Sequence, residues 1–167
     1  MRIFPRQRGF TLLEVLISIL VFSIGLLGVA GLLVMSVRTN HSAFLRTQAS
    51  FLAESMAERM RTNLGYVDQY NGTYDSSTVG AASCSSASCT PTQLAAHDRA
   101  VWSQQLVEHL PAPTAEIDCD DRPPDPGAAG TQPYAGLCRM TITWTEADLS
   151  QSGGTPATQT FAWVFQP

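Results

Sequence analysis

The chain has 167 residues, with ten arginines, no lysine and fourteen acidic side chains, for a formal net charge of −4. This length leaves room for one soluble domain of common size beside a single membrane helix. The acidic balance argues against nonspecific nucleic-acid binding, and no nucleic-acid partner is expected.

A long apolar run follows a short basic N-terminus. No charged residue occurs between Val15 and Val37, and a helix over those positions would be roughly 34 Å long, enough to cross a bilayer core. Glu14 stands at the start of this run, where an unpaired carboxylate is unfavourable in lipid. No small-residue cleavage site follows Val37, so we expect the run to remain in the mature protein.

The segment Gly9-Phe10-Thr11-Leu12-Leu13-Glu14 resembles the class III signal of type IV pilins and type II secretion pseudopilins. In that family a prepilin peptidase cuts after the glycine and methylates the new N-terminus. The resemblance implies that residues 1–9 are a leader, that cleavage falls between Gly9 and Phe10, and that Phe10 is N-methylated. It also implies that Glu14, the fifth mature residue, attracts the N-terminal amine of a neighbouring subunit during assembly. The alternative is a carboxylate that snorkels to the membrane surface.

Three arginines precede the apolar run. Arg2, Arg6 and Arg8 favour a cytoplasmic N-terminus, because positive charges flanking a span stay on that side. Their loss with the leader would leave seven basic against fourteen acidic side chains, a side-chain net charge of −7. We expect a single-pass protein in contact with inner-membrane lipid of a Gram-negative bacterium. Its head would lie in the periplasm before the subunit enters a pilus.

No proline occurs between Pro5 and Pro91, which predicts one continuous helix from residue 10 to about 64. Its membrane-embedded half is 10–37, and its amphipathic periplasmic half is 38–65, where Gly65 fits a helix stop. Apolar residues of the second half recur at spacings of three and four and predict a stripe that packs on a head domain. The stripe consists of Leu45, Ala49, Leu52, Met56, Met60 and Leu64.

Gly25, Gly28 and Gly31 recur every three residues in the membrane-embedded half. Small residues allow close helix approach in lipid, whereas glycine also loosens a helix. A packing strip is the favoured interpretation, and a hinge is the alternative.

Residues 66–167 are predicted to form a globular head stapled by disulfides. Residues 66–90 are rich in small and polar side chains and are predicted to be a loop. A second helix starts where Thr90, Pro91 and Gln93 supply a capping box with proline at the first helical position. It ends before Pro111. Its apolar face contains Ala95, Trp102, Leu106 and Leu110.

Beyond that helix the apolar period changes to two. The alternation in residues 138–145 and 160–165 predicts two strands joined as an antiparallel hairpin, and a further short strand is expected near Ile117. The expected fold class is therefore α+β, with a long N-terminal helix packed on a small antiparallel sheet and an additional helix. The pilin resemblance implies the same type IV pilin-like fold.

The four cysteines, Cys84, Cys89, Cys119 and Cys138, lie in the part of the chain expected to be translocated, where disulfides form. Three pairings are possible. Cys84 with Cys89 and Cys119 with Cys138 is favoured, because the first pair closes a small loop and the second ties an acidic loop to the adjoining strand. A four-cysteine zinc site is the alternative, and the irregular spacing opposes it.

Other residues give no pattern of catalysis. His41, His97 and His109 lie far apart in sequence without a nucleophile motif. The acidic loop lacks the spacing of an EF-hand calcium site. Its acidic residues are Asp118, Asp120, Asp121 and Asp125. We therefore expect no enzyme activity, no catalytic residue, no metal and no cofactor.

Two later segments narrow the resemblance. Residues 51–63 and the helix of residues 89–110 are similar to minor pilins of the PilV type, the type IV pilus modification proteins. This likeness implies a subunit that joins other minor pilins and the major pilin in a priming or tip complex, works with the inner-membrane assembly platform, and supports adhesion and twitching motility. The alternatives are a minor pseudopilin of the I type in type II secretion and a membrane-anchored enzyme.

Overall fold

The computed structural model describes residues 9–78, 84, 89–120, 134–147 and 156–167. Two compact units divide the chain, Met1–His41 and Ser42–Pro167. The elements are α1 Leu12–Thr62, a 3-10 helix Leu64–Tyr70, β1 Gly72–Tyr74, α2 Pro91–His109, β2 Thr114–Cys119, β3 Cys138–Ala147 and β4 Pro156–Phe165. The predicted α+β class is confirmed.

The first helix, α1, is 51 residues long and unbroken. The prediction of one continuous helix is confirmed, but the predicted stop at Gly65 is wrong. The helix ends at Thr62, and the backbone N–H of Asn63 donates to Met60 O (3.0 Å) in a tighter final turn. Gly65 lies inside the 3-10 helix, which is kinked at Tyr66.

The predicted stripe of α1 belongs to the core of the head. Five of its residues are buried, and the sixth, Leu64, is half-buried and packs against the same core from the 3-10 helix. One hydrophobic cluster unites this stripe with Trp102 and Leu106 of α2 and with Ile117 and Met140 of the sheet. Removal of this apolar surface from water is the main force that holds the head together.

The four strands form one antiparallel sheet in the order β1-β2-β3-β4. The predicted hairpin of β3 and β4 is confirmed, with Met140 opposite Trp163 and Ile142 opposite Phe161. In β2, Ile117 lies opposite Met140. Residues directly opposite each other share one face of a sheet, so these side chains form rows on the inner face, which contributes to the core.

Residues 66–90 are not simply the predicted loop, since their first part contains most of the 3-10 helix and all of β1. β1 pairs with β2 through Gly72 opposite Ile117 and Tyr74 opposite Ala115. Gly72 has a φ of 138°, which only glycine adopts easily. A three-residue strand has too short a pattern to be recognised locally, and its pairing with distant β2 defines it.

The second helix, α2, begins as predicted. Thr90 Oγ1 accepts from the Gln93 N–H (3.3 Å), and Gln93 Oε1 accepts from the Thr90 N–H (2.9 Å), so the capping box is complete. The helix ends at His109. It is attached to α1 by the indole N–H of Trp102, which donates to Leu52 O (2.8 Å).

Disulfides join Cys84 to Cys89 and Cys119 to Cys138. This is the pairing favoured from the sequence. Cys119 and Cys138 stand opposite each other in the register of β2 and β3, and both are buried. The second disulfide therefore ties the end of one strand to the start of the next.

Candidate functional site

The Gly9–Phe10 peptide bond lies outside α1. Gly9, Phe10 and Thr11 are not helical, and Phe10 is 83% exposed. A Cβ placed on Gly9 would meet no described atom within 4 Å. Proteins that bind a peptide through its main chain need it extended, which a bond inside a helix does not offer. The bond predicted to be cleaved is therefore not held inside the helix.

Thr11 caps α1 and fixes the backbone at Glu14. The backbone N–H of Glu14 donates to Thr11 Oγ1 (3.3 Å) and to Thr11 O (3.1 Å). Thr11-x-x-Glu14 has the spacing of a capping box, the same signal that marks the start of α2. The sequence contains this signal, although the prediction above assigned Thr11 no role. Thr11 thus starts the helix immediately after the predicted cleavage site.

Glu14 lies in the first turn of α1 and is exposed. Unbonded N–H groups give a helix N-terminus a partial positive charge, which favours a carboxylate at this place. Ion pairs among the described residues join Arg59 to Asp98 and Arg61 to Glu58, and neither involves Glu14. The carboxylate is therefore presented outward, where a cation of another molecule can reach it.

Apolar side chains cover the first part of α1 and point outward. In the part of the chain that the structure describes, α1 is the one helix long and apolar enough to cross a membrane. Its most apolar stretch has a mean hydropathy of 2.6 and contains no buried residue. Two of its hydroxyls donate within the helix, Ser18 Oγ to Glu14 O (2.7 Å) and Ser23 Oγ to Ile19 O (2.7 Å). Such bonds satisfy polar groups that lipid cannot. The surface suits either lipid or apolar helices of other subunits.

The three glycines lie in α1 without interrupting it. A Cβ on Gly25, Gly28 or Gly31 would meet no described atom within 4 Å beyond the backbone of the same helix turns. The strip is therefore open to close approach by a second helix. The unbroken helix favours the packing strip over the hinge.

A buried polar cluster joins α1, the 3-10 helix and α2. Asp98, only 4% exposed, accepts from Arg59 Nη1 (2.8 Å) and from the hydroxyl of Tyr70 (2.9 Å). Asn63 Nδ2 donates to the Tyr70 oxygen (3.3 Å) and to Pro91 O (2.9 Å). Burial raises the pKa of Tyr70 to about 12, so its hydroxyl stays protonated and continues to donate. The cluster holds three elements of the head in register.

Two of the residues considered for metal binding lie together, but the described residues do not form a metal site. The described residues include no group of three His, Cys, Asp or Glu side chains that could hold a metal ion. Asp118 and Asp120 line an open cavity of about 210 Å³ beside Arg139, while Asp121 and Asp125 lie outside the described residues. The three histidines are dispersed, His41 on α1 and His97 and His109 on α2.

Two family models match consecutive parts of the chain. The prokaryotic N-terminal methylation motif matches residues 4–30, and the type IV pilin Tt1218 family matches residues 31–100. No curated protein and no solved structure matches the chain. The first match contains the Gly9–Phe10 bond and Glu14, and the second covers the rest of α1 through the first half of α2.

Proposed function

The chain belongs to the type IV pilin superfamily, and from this premise we propose that it is a minor pilin that primes pilus assembly. As a pilin, it is a single-pass inner-membrane protein that is later assembled into the pilus. The likeness of residues 51–63 and 89–110 to PilV-type proteins supports the minor-pilin assignment. Its partners would be prepilin peptidase, other minor pilins, the major pilin and the inner-membrane assembly platform.

Processing would remove residues 1–9 and leave a methylated amine on Phe10. The exposed, nonhelical backbone at Gly9 and Phe10 supports this step. Residues 10–37 would then lie in the membrane and residues 38–65 in the periplasm, followed by the disulfide-stapled head of residues 66–167. Adhesion and twitching motility would depend on the subunit through the pilus.

The observation that carries the assembly role is the exposed position of Glu14 at the start of an apolar helix, with no ion-pair partner among the residues that the structure describes. When such helices pack together, a carboxylate without a positive partner is strongly disfavoured. The Phe10 amine of a neighbouring subunit supplies that partner, and it exists only after cleavage. Peptidase processing and subunit assembly are linked through this pair.

Deletion of the gene tests the assignment at the level of the cell. Loss of surface pili and of twitching, with protein secretion unchanged, is the expected result. Loss of secretion with normal pili would favour the type II secretion pseudopilin instead. Both measurements should be made in one strain, since the two systems share the same peptidase chemistry.

Glu14 provides the sharper test. Glu14→Gln and Glu14→Leu should be cleaved and inserted normally but enter the assembly complex roughly a hundredfold less, because loss of one partner of a buried ion pair costs about 3 kcal/mol. Glu54→Gln is the matched control, since Glu54 is an exposed carboxylate on the same helix, in its amphipathic half. Copurification with the other minor pilins and counts of surface pili measure the effect. Normal assembly by cleaved Glu14→Leu would contradict the role.

A further inference from the structure

The last strand forms a long, uncharged edge of the sheet. The two edge strands are β1, with three residues, and β4, with ten. Natural edges are usually protected by short length, charge, proline or a covering element. β1 is short, but β4 contains no charged residue, and its single proline, Pro156, stands at its first position. Neither its length nor a charge within the strand therefore protects β4, although Arg46 of α1 donates to the side chain of Gln159 (3.0 Å).

The backbone on the outer side of β4 has no hydrogen-bond partner in the described part of the chain. β3 pairs with β4 along its full length, from Cys138 opposite Phe165 to Ala147 opposite Pro156. That pairing uses the N–H and C=O groups of one side of the strand only. No other backbone hydrogen bond among residues 9–78, 84, 89–120, 134–147 and 156–167 reaches β4. A row of donors and acceptors therefore faces away from the sheet.

The inner face is incompletely covered near this edge. Met140 and Ile142 of β3 are fully buried, each 0% exposed. Their partners on β4, Trp163 and Phe161, are only half-buried. Trp163 stacks on Phe165, with ring centroids 4.6 Å apart. Phe165 still belongs to the core, but the hydrophobic cover of the inner face is thinner over Phe161 and Trp163 of β4 than over their partners on β3.

We propose that the outer edge of β4 binds an extended strand of a partner protein, one whose apolar side chains alternate with polar ones. An extended backbone is the ligand that matches a row of open edge groups. Its apolar side chains would cover Phe161 and Trp163, because neighbours on adjacent strands lie about 5 Å apart. Its polar side chains would lie beside Thr158 and Thr160 on the exposed face. This property belongs to the head alone and does not depend on the minor-pilin assignment.

Hydrogen exchange of the full-length chain in detergent tests whether the edge is open. Only alternate backbone N–H groups of β4 bond to β3, so every second amide from Ala157 to Phe165 should exchange fast and the others slowly. Slow exchange of all of them in the dilute free chain would mean that a segment of this chain covers the edge, which would overturn the proposal. If the exchange of these amides slows only as the protein concentration rises, a second copy of the chain binds the edge, which would also overturn the proposal.

A peptide probe tests the chemistry of the occupant. A short peptide of alternating valine and threonine, with lysine at each end, should bind and protect the fast-exchanging amides. A peptide of the same composition with its valines grouped together should not. Absence of binding, or equal binding of both peptides, would overturn the proposal.

Proline substitution localises the site. Adjacent residues of a strand direct their N–H groups to opposite edges, so either Gln159 or Thr160 has the fast-exchanging amide. Proline at that position removes an edge donor and should weaken peptide binding by about tenfold or more. Alanine at the same position keeps the N–H and should change binding by less than about twofold, which makes it the matched control. Unchanged exchange in β3 would verify that each variant is folded, and equal binding by the two variants would overturn the proposal.

Discussion

Single residues of α1 form two ion pairs that differ in burial. Arg59 bonds to Asp98, whose side chain is 6% exposed, while Arg61 bonds to Glu58, whose side chain is 62% exposed. Water screens the second pair, so that pair contributes little to the free energy of unfolding. The first pair is better shielded, and Asp98 also accepts from Tyr70, so loss of Asp98 would take this acceptor from the buried Tyr70 hydroxyl and from the partly exposed Arg59 guanidinium.

Asp98→Ala should lower the free energy of unfolding by about 2 kcal/mol. This is less than for a fully buried pair, because Arg59 retains 27% exposure and some hydration. Glu58→Ala is the matched control and should change the free energy by less than about 0.5 kcal/mol. Urea unfolding of the full-length chain in detergent, followed by tryptophan fluorescence, gives both values. Equal effects would show that burial does not distinguish the two pairs.

Tyr70 should make the head sensitive to alkali. Burial raises its pKa from 10.0 to about 12, so between these values the unfolded chain loses the proton and the folded chain keeps it. The free energy of unfolding therefore falls as pH rises through this range, by up to about 1.4 kcal/mol per pH unit, and the contribution is intact below pH 10. Burial also raises the pKa of Tyr74, which adds to the loss.

Tyr70→Phe should make this alkaline decline shallower, as measured by urea unfolding at a series of pH values. Tyr66→Phe is the control, since Tyr66 is 41% exposed. An identical slope in the two variants would argue against a folded-state burial effect at Tyr70.

At the scale of elements, the two disulfides should differ in their contribution. The Cys119–Cys138 bridge closes a separation of 19 residues, and the Cys84–Cys89 bridge one of 5. Chain entropy gives about 3 kcal/mol for the longer loop and about 2 kcal/mol for the shorter. Cys119→Ser with Cys138→Ser should therefore destabilise the head more than the other double variant. Mass mapping under nonreducing conditions that finds Cys84 bonded to Cys119 would remove the premise.

Elements with a long local pattern could be predicted from the sequence. The apolar stripe of α1, the capping box of α2 and the alternation in β3 and β4 each extend over many residues, so periodicity and cap chemistry were enough. The 3-10 helix and β1 could not be predicted, because β1 has three residues and gains its stability from pairing with β2. α1 ends at Thr62, beside Asn63, whose side chain donates to Pro91 O, 28 residues away, a contact that no local pattern contains.

The residues of the candidate site also divide into those that a local sequence pattern reveals and those that only the fold brings together. Gly9, Phe10 and Glu14 form a contiguous motif, and the sequence contains all of it. Asp98 is different, because its partner Arg59 belongs to another helix, 39 residues away in sequence. The open edge of β4 likewise becomes visible only when the strand order is known.

At the scale of the whole molecule, the glycine strip should govern packing of one subunit on another. Gly28→Leu should reduce surface pili about tenfold, because a bulky side chain keeps helices apart. Leucine also favours helix more than glycine does, so a loss would not reflect a weakened α1. Ala30→Leu is the matched control, since at 3.6 residues per turn Ala30 lies on the opposite side of the helix. Membrane fractionation should show normal insertion of both variants, and equal pilus counts would contradict the packing role.

The strand order also bears on how the head is made. Each strand of the sheet neighbours the next one in the chain, so the strands are synthesised in the order in which they lie in the sheet. β1 is synthesised first and pairs with β2, β2 pairs with β3, and β4 is the last strand to emerge. The growing end of the sheet is therefore the end left open in the finished subunit. A strand from a partner protein would therefore add to the sheet as a fifth strand, next to the strand of the head that is synthesised last.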